Sequence, residues 1–333
     1  MSRIARLITV VALASLALPQ AALAAPPQVG VIQNFGPNLL ADCPNPEGIA
    51  IDPTGNLYAA SFPAFQPVRT PSANICVISP AGVLIDTIPV PPGPAGFTNL
   101  LGELFEPGQG LYVVDFASGT SGLGRLLRVD PATHSITTLA TRFAAANAIA
   151  QDRHRDLFVS DSFEGNIVKV APDGSSSAVW VSSPLLAPQG FPPFGANGVA
   201  FDRDQKSMFV ANTSNDTIVR IPVLDDGSAG TPSVFATGSD VTGALDGADG
   251  IMFDAKGNLY VCANQANEIQ VLAPDGKLVT RYKGLGANAL DFPASLVFKG
   301  RDLYVTNLSL FDGGVNSKLS VIVVPNPGLP LRP

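Results

Sequence analysis

The sequence predicts an all-β protein, a six-bladed β-propeller of four-stranded blades. Three observations point there: a unit that recurs six times, the shortness of the apolar runs after the N-terminus, and a spare N-terminal strand where the last unit is incomplete.

The repeat is clearest as Glu47-Gly-Ile-Ala-Ile-Asp-Pro-Thr-Gly-Asn-Leu-Tyr58, which returns as Asp249-Gly-Ile-Met-Phe-Asp-Ala-Lys-Gly-Asn-Leu-Tyr260. Weaker copies begin at Asn147 and Asn197, and the most degenerate begin near Gly102 and Ala294. Each copy is a short apolar run, a polar or Gly-containing turn, and a second run carrying an aromatic, the pattern of a β-hairpin. Two more strand-like runs follow, for example residues 268–272, the turn Pro274-Asp-Gly276, and residues 278–282. The anchoring aromatics Tyr58, Tyr112, Phe158, Phe209, Tyr260 and Tyr304 are 54, 46, 51, 51 and 44 residues apart, a propeller-like period. No segment sustains helical periodicity.

The last unit supplies only three strand-like runs: 294–298, 303–306 and 319–324. Residues 29–35 form a strand with no partner before the first unit. They are expected to complete the last blade, which ties the termini together and removes a sheet edge.

Residues 1–24 read as a signal peptide. Arg3 and Arg6 precede an apolar run over 7–18, and Ala22-Leu-Ala24 is a small-x-small cleavage site. The expected organisation is a leader over 1–24, the propeller over 25–325 and a tail over 326–333. The protein is therefore expected to be exported, periplasmic or secreted, with no membrane span. Without the leader the chain holds 18 basic and 27 acidic side chains, net −9. Such an acidic chain with no basic cluster argues against nucleic-acid binding. Of three cysteines, Cys43 and Cys76 share a repeat and are the natural pair if a disulfide forms; three buried free thiols is the other arrangement allowed. Nothing in the sequence specifies an oligomeric state.

In a propeller the first strand of each blade lines the central tunnel, so equivalent positions form a ring. The position before the Gly/aliphatic run holds Glu47, Leu101, Asn147, Asn197, Asp249 and Ala294. One Asn or Asp at a strand start is an ordinary turn residue. Four oxygen donors in one register, with Glu47 where turn chemistry asks for no Glu, point instead to a hard divalent cation, Ca²⁺ first. A second register, Ser61, Asp115, Asp161, Asn212, Ala263 and Asn307, admits two readings: side chains around the same mouth, or strand-end polar residues serving local backbone needs.

The order Glu47, Asn147, Asn197, Asp249, with Pro46-Glu-Gly48, Asn197-Gly198 and Asp249-Gly250, resembles the gluconolactonase and regucalcin (senescence marker protein) family. The resemblance runs from about residue 29 to 324, and the blades also resemble NHL repeats. It implies a propeller binding Ca²⁺ or another divalent ion through Glu47, Asn147, Asn197 and Asp249. It also implies lactone hydrolysis with Asp249 as general base. Sugar-lactone members carry an Arg two residues before the first Asn and an acid just after it; here these are Ala145 and Ala148. With Phe191, Pro192, Pro193 and Phe194 before Asn197, this departure implies an apolar lactone or ester as the small-molecule substrate.

Other chemistries lack their residues. There is no G-x-S-x-G elbow, and the only histidines are His134 and His154, the latter in a turn at the far end from the slots. Trp180 is expected to pack in an outer strand. The leading expectation is a metal-dependent hydrolase. The alternatives are a non-catalytic NHL-like propeller that binds a ligand or protein, and a strictosidine-synthase-like propeller.

Overall fold

A computed structural model describes residues 28–66, 70–117, 122–190, 192–239 and 241–330. The expected leader and Phe191 lie outside the described residues.

Six four-stranded antiparallel sheets form the blades. Their innermost strands are Pro46–Ile51, Leu100–Glu106, Ala146–Gln151, Ala196–Phe201, Ala248–Phe253 and Pro293–Lys299. Each touches the innermost strands of its neighbours, and the first touches the sixth, so the ring is closed. In blade 1 the two inner strands, Pro46–Ile51 and Leu57–Ser61, are buried throughout, while Leu84–Val90 at its rim is mostly half-buried or exposed. Inner strands are covered on both faces by adjacent blades, so they read as apolar runs rather than alternating ones.

The repeat aromatics join one blade to the next. Tyr58 stacks on Phe105, Phe158 meets Phe201 edge-on, Phe209 meets Phe253, and Tyr260 meets Phe298, with centroids 5.0 to 5.5 Å apart. Each partner lies on the innermost strand of the following blade. The repeat Asp closes the hairpin at the end away from the slots: Asp52 Oδ1 accepts from the N–H groups of Thr54, Gly55 and Asn56, and Asp254 does the same for Lys256 and Asn258.

The last blade closes as expected. Ile32–Phe35 pairs antiparallel with Lys318–Val323, with Ile32 opposite Ile322 and Phe35 opposite Leu319. A Cys43–Cys76 disulfide fastens the segment after this strand to the third strand of blade 1, and Cys262 is a buried free thiol. Trp180 sits on the outermost strand of blade 3 against Phe158 and donates to the Gly227 carbonyl. The described tail also packs: Asn326 Nδ2 donates to Asp254 Oδ2, and the Leu329 N–H to the Phe253 carbonyl. Among the described residues no helix is long and apolar enough to cross a membrane.

Candidate metal centre

The slot residues occupy one recurrent backbone feature. In every blade the pairing of first and second strands shifts register at the slot: between Pro46 and Ile49, Leu100 and Glu103, Ala146 and Ile149, Ala196 and Val199, Ala248 and Ile251, and Pro293 and Leu296. Such a bulge re-aims a side chain out of the regular alternation. The next residue must be small because the adjacent blade's backbone lies against it. A Cβ on Gly198 would fall 2.3 Å from the Asp249 carbonyl oxygen, and one on Gly48 would fall 2.1 Å from that of Leu101. Sequence and geometry therefore agree on Gly48, Gly102, Gly198 and Gly250, with Ala148 and Ser295 in the other two blades.

Glu47, Asn147, Asn197 and Asp249 are each 4 to 5 % exposed. Asn147 Nδ2 donates to Ser162 Oγ at 3.1 Å, and Asn197 Nδ2 to Thr213 Oγ1 at 2.9 Å. Asp249 Oδ2 accepts from Asn264 Nδ2 at 2.9 Å. Several buried acceptors have no protein partner: Glu47 Oε2, Asn197 Oδ1 and Asn264 Oδ1. Buried polar atoms are ordinarily paired, so orphaned oxygens on two of the four slot residues, Glu47 and Asn197, fit a cation, whereas Asn264 Oδ1 lies against Gly247. The donor set is mixed carboxylate and carboxamide. Among the described residues no group of three or more His, Cys, Asp or Glu side chains is arranged for a metal.

The electrostatics agree with that fit. Burial pushes the Glu47 carboxyl well above the usual carboxylate range, and the charges of Asp249 and Glu103 push it further. Asp249 is raised by burial to about 7, against the lowering effect of hydrogen bonds from Asn264, Asn197 and the Gly250 N–H. Without a counter-charge these acids hold protons that a cation would displace.

Glu103 was not singled out in the sequence. Burial raises its carboxyl too, and both its oxygens are buried and unpartnered. It sits two positions past slot Leu101, where the other blades carry Ile49, Ile149, Val199, Ile251 and Leu296. A carboxylate at a position otherwise aliphatic was the available signal. Ser162, Thr213 and Asn264 were also missed, one position beyond the second register.

The second register does not surround the mouth. Its polar members fasten loops: Asp161 accepts from the N–H groups of Ala144 and Ala145. Asp115 accepts from Asn99 and Ala117 and pairs with Arg125 at 2.6 Å. Asn212 donates to the carbonyls of Leu185 and Ala187, Asn307 to that of Lys318, and Ser61 Oγ accepts from Asn74 N–H. All are fully or almost fully buried, so the strand-end polar residues serve local backbone needs.

The apolar rim is present. Phe62, Phe116, Phe163 and Phe194 form one aromatic cluster, with Phe194 5.9 Å from Phe116 and 5.4 Å from Phe163. Leu101, Ala145 and Ala294 belong to the same apolar cluster. Ser162, Thr213 and Asn264 are buried polar residues bonded to the slot side chains of blades 3, 4 and 5. A hollow of about 390 Å³ at the other end is lined by turn residues such as Asp202 and Asp254 and has no part in this group.

Residues 193–309 match the family model described as the SMP-30/gluconolactonase/LRE-like region. The resemblance read from the slot residues is thus borne out over that stretch. No curated protein matches the chain. Among solved structures, a luciferin-regenerating enzyme aligns with TM-score 0.63 and 17% identity, over 90% of this chain and 97% of that one. The calcium-binding protein regucalcin from Agrobacterium tumefaciens aligns with TM-score 0.61 and 16% identity, over 86% and 92%. A gluconolactonase from Xanthomonas campestris aligns with TM-score 0.59 and 15% identity, over 89% and 94%. At these identities the structural likeness is one of fold.

Proposed function

We propose that this propeller, gluconolactonase-like over residues 193–309, is an exported, divalent-cation-dependent hydrolase of an apolar lactone or related ester. The observation that carries the reading is the pair of buried, unpartnered acceptors on the slot residues Glu47 and Asn197, in the same register as the buried acid Asp249. The names of two structural neighbours, a calcium-binding regucalcin and a gluconolactonase, are in keeping with it.

Glu47, Asn147, Asn197 and Asp249 are the residues that would hold the cation, Ca²⁺ first. Its chemistry there is to polarise a carbonyl and stabilise the oxyanion that develops. Asp249 takes the proton of the attacking water. Asn264 fixes one Asp249 oxygen, which keeps the carboxylate from rotating. The aromatic cluster around Phe116 excludes water and receives an apolar substituent. Ala145 and Ala148 offer no charged group to a sugar hydroxyl, so gluconolactone is disfavoured.

The test is hydrolysis of an aliphatic lactone series, an aryl ester and gluconolactone, with and without chelator. Turnover of the apolar substrates should require the cation. Asp249→Asn should keep cation binding and lose about a hundredfold or more in rate. A second reading is a non-catalytic binding propeller with NHL-like blades. It is favoured by the near-complete burial of the slot residues. No turnover of any substrate would decide for it, whereas full activity in Asp249→Asn would remove Asp249 from the role of base.

A further inference from the structure

We propose that Ser162, Thr213 and Asn264 are positioning residues that set the donor polarity of the slot side chains, so that the site presents oxygen rather than N–H to its occupant. The proposal rests on the cation-binding reading above and goes beyond the slot residues themselves.

The three occupy the same position in blades 3, 4 and 5, immediately after the second strand, Leu157–Asp161, Ser207–Asn212 and Leu259–Ala263. Each is bonded to the slot residue of its own blade. The corresponding residues in blades 1, 2 and 6 are Phe62, Phe116 and Leu308, which belong to the apolar half of the mouth.

A carboxamide can be turned end for end at almost no steric cost, so something must choose which end faces the site. Here the hydroxyls choose. Ser162 Oγ lies 2.7 Å from the Ala196 carbonyl oxygen, and Thr213 Oγ1 lies 2.7 Å from that of Ala248. A carbonyl only accepts, so each hydroxyl's one proton is committed to the next blade. The hydroxyl can then only accept from its slot amide, and the amide must offer N–H. Asn147 and Asn197 do so. The Asn197 Oδ1 is left buried and unpartnered.

Blade 5 has the inverse problem, because its slot residue is a carboxylate. There the partner is an amide that donates: Asn264 Nδ2 to Asp249 Oδ2. Asn264 is held in place by the tight approach of Gly247, where a Cβ would fall 2.0 Å from Asn264 Oδ1. Acceptors stand beside the slot amides and a donor beside the slot acid. Each choice leaves the lone pairs of the slot residue for the site.

The test is a double-mutant cycle read by Ca²⁺ affinity in calorimetry, with melting in chelator as the folding control. Thr213→Val keeps the shape and removes the acceptor, freeing the Asn197 amide to turn. It should weaken Ca²⁺ binding tenfold or more, and Thr213→Ser should restore it to within about threefold. In Asn197→Asp both ends of the side chain are oxygen, so orientation no longer matters. In that background Thr213→Val should cost less than about threefold. An equal loss in both backgrounds would show Thr213 to be merely structural and overturn the proposal. Should Thr213→Val fold poorly, Ser162→Ala with Asn147→Asp provides the same cycle one blade away. Wild-type protein that binds no Ca²⁺, Mg²⁺ or Mn²⁺ would overturn the cation reading and this proposal with it. Wild-type binding that is indifferent to Thr213→Val and Ser162→Ala would overturn only this one.

Discussion

Glu103 shows what a single residue can and cannot disclose. Its side chain lies next to Gly48, where a Cβ would fall 3.0 Å from its Cγ, yet neither of its oxygens has a partner. Five blades place an aliphatic residue there. Replacing an unpaired buried acid by a well-packed hydrophobe removes a desolvation cost. Glu103→Leu should therefore stabilise the chelated protein by about 1–3 kcal/mol in denaturant unfolding. A destabilisation of similar size would show that the carboxylate is paired in the native protein. The position was readable by stacking the repeats. The meaning of an acid there was not, because partners come from neighbouring blades, across a tunnel that no local pattern describes.

At the scale of the strand, the bulge beside each slot is the recurring device. Glycine follows the slot in four blades because the neighbouring backbone leaves no room, not because a turn requires a left-handed residue. Gly198→Ala would drive a methyl to 2.3 Å from the Asp249 carbonyl oxygen, and backbone on both sides must move. A loss of about 2–4 kcal/mol is expected, together with weaker Ca²⁺ binding, since the shift displaces both slot residues. Thermal unfolding and calorimetry on the same variant check both. Wild-type stability would mean the innermost strands are less tightly apposed than described. The Gly after the slot in four blades was legible as a repeat element, and so was the Asp at the hairpin turn. The second register was legible as polar but not as local: Asp115 and Asp161 turned out to cap backbone loops.

For the whole molecule, closure and charge are coupled. The strand Ile32–Phe35 supplies the last ladder of the last blade, so deleting residues 29–35 should expose the edge of Lys318–Val323 and cause aggregation or loss of cooperative unfolding. Export predicts that the mature chain begins at Ala25, give or take one residue, in N-terminal sequencing of protein recovered outside the cytoplasm. The acids at the tunnel mouth predict an unusual pH dependence. Folding raises the proton affinity of Glu47, Glu103 and Asp249, so the native state holds protons that the unfolded chain has released. Their contribution to stability is present below the unfolded values, about 4, and is lost as pH rises through the folded ones, about 7 for Asp249. In chelator the melting temperature should fall between pH 5 and 8. Added Ca²⁺ should raise it and flatten that fall, and Glu47→Gln should blunt the Ca²⁺ response. A melting temperature that rises with pH in chelator would contradict this assignment of protons.

By itself the sequence determined the number of blades, the strand that closes the ring, the repeat aromatics and the four slot side chains. Each of these repeats or completes a repeat, and periodicity survives in one dimension. Only the tertiary structure decided which oxygens are left without partners, which amides are oriented by hydroxyls, and whether a strand-end polar residue serves a loop or the mouth. The pairing of Cys43 with Cys76, which the sequence left open, was decided there too. Those outcomes depend on atoms brought together from different blades. A hydrogen bond such as that from Ser162 to Ala196, 34 residues apart, has no signature along the chain. It exists only because closing the ring sets each blade's second strand against the first strand of the next.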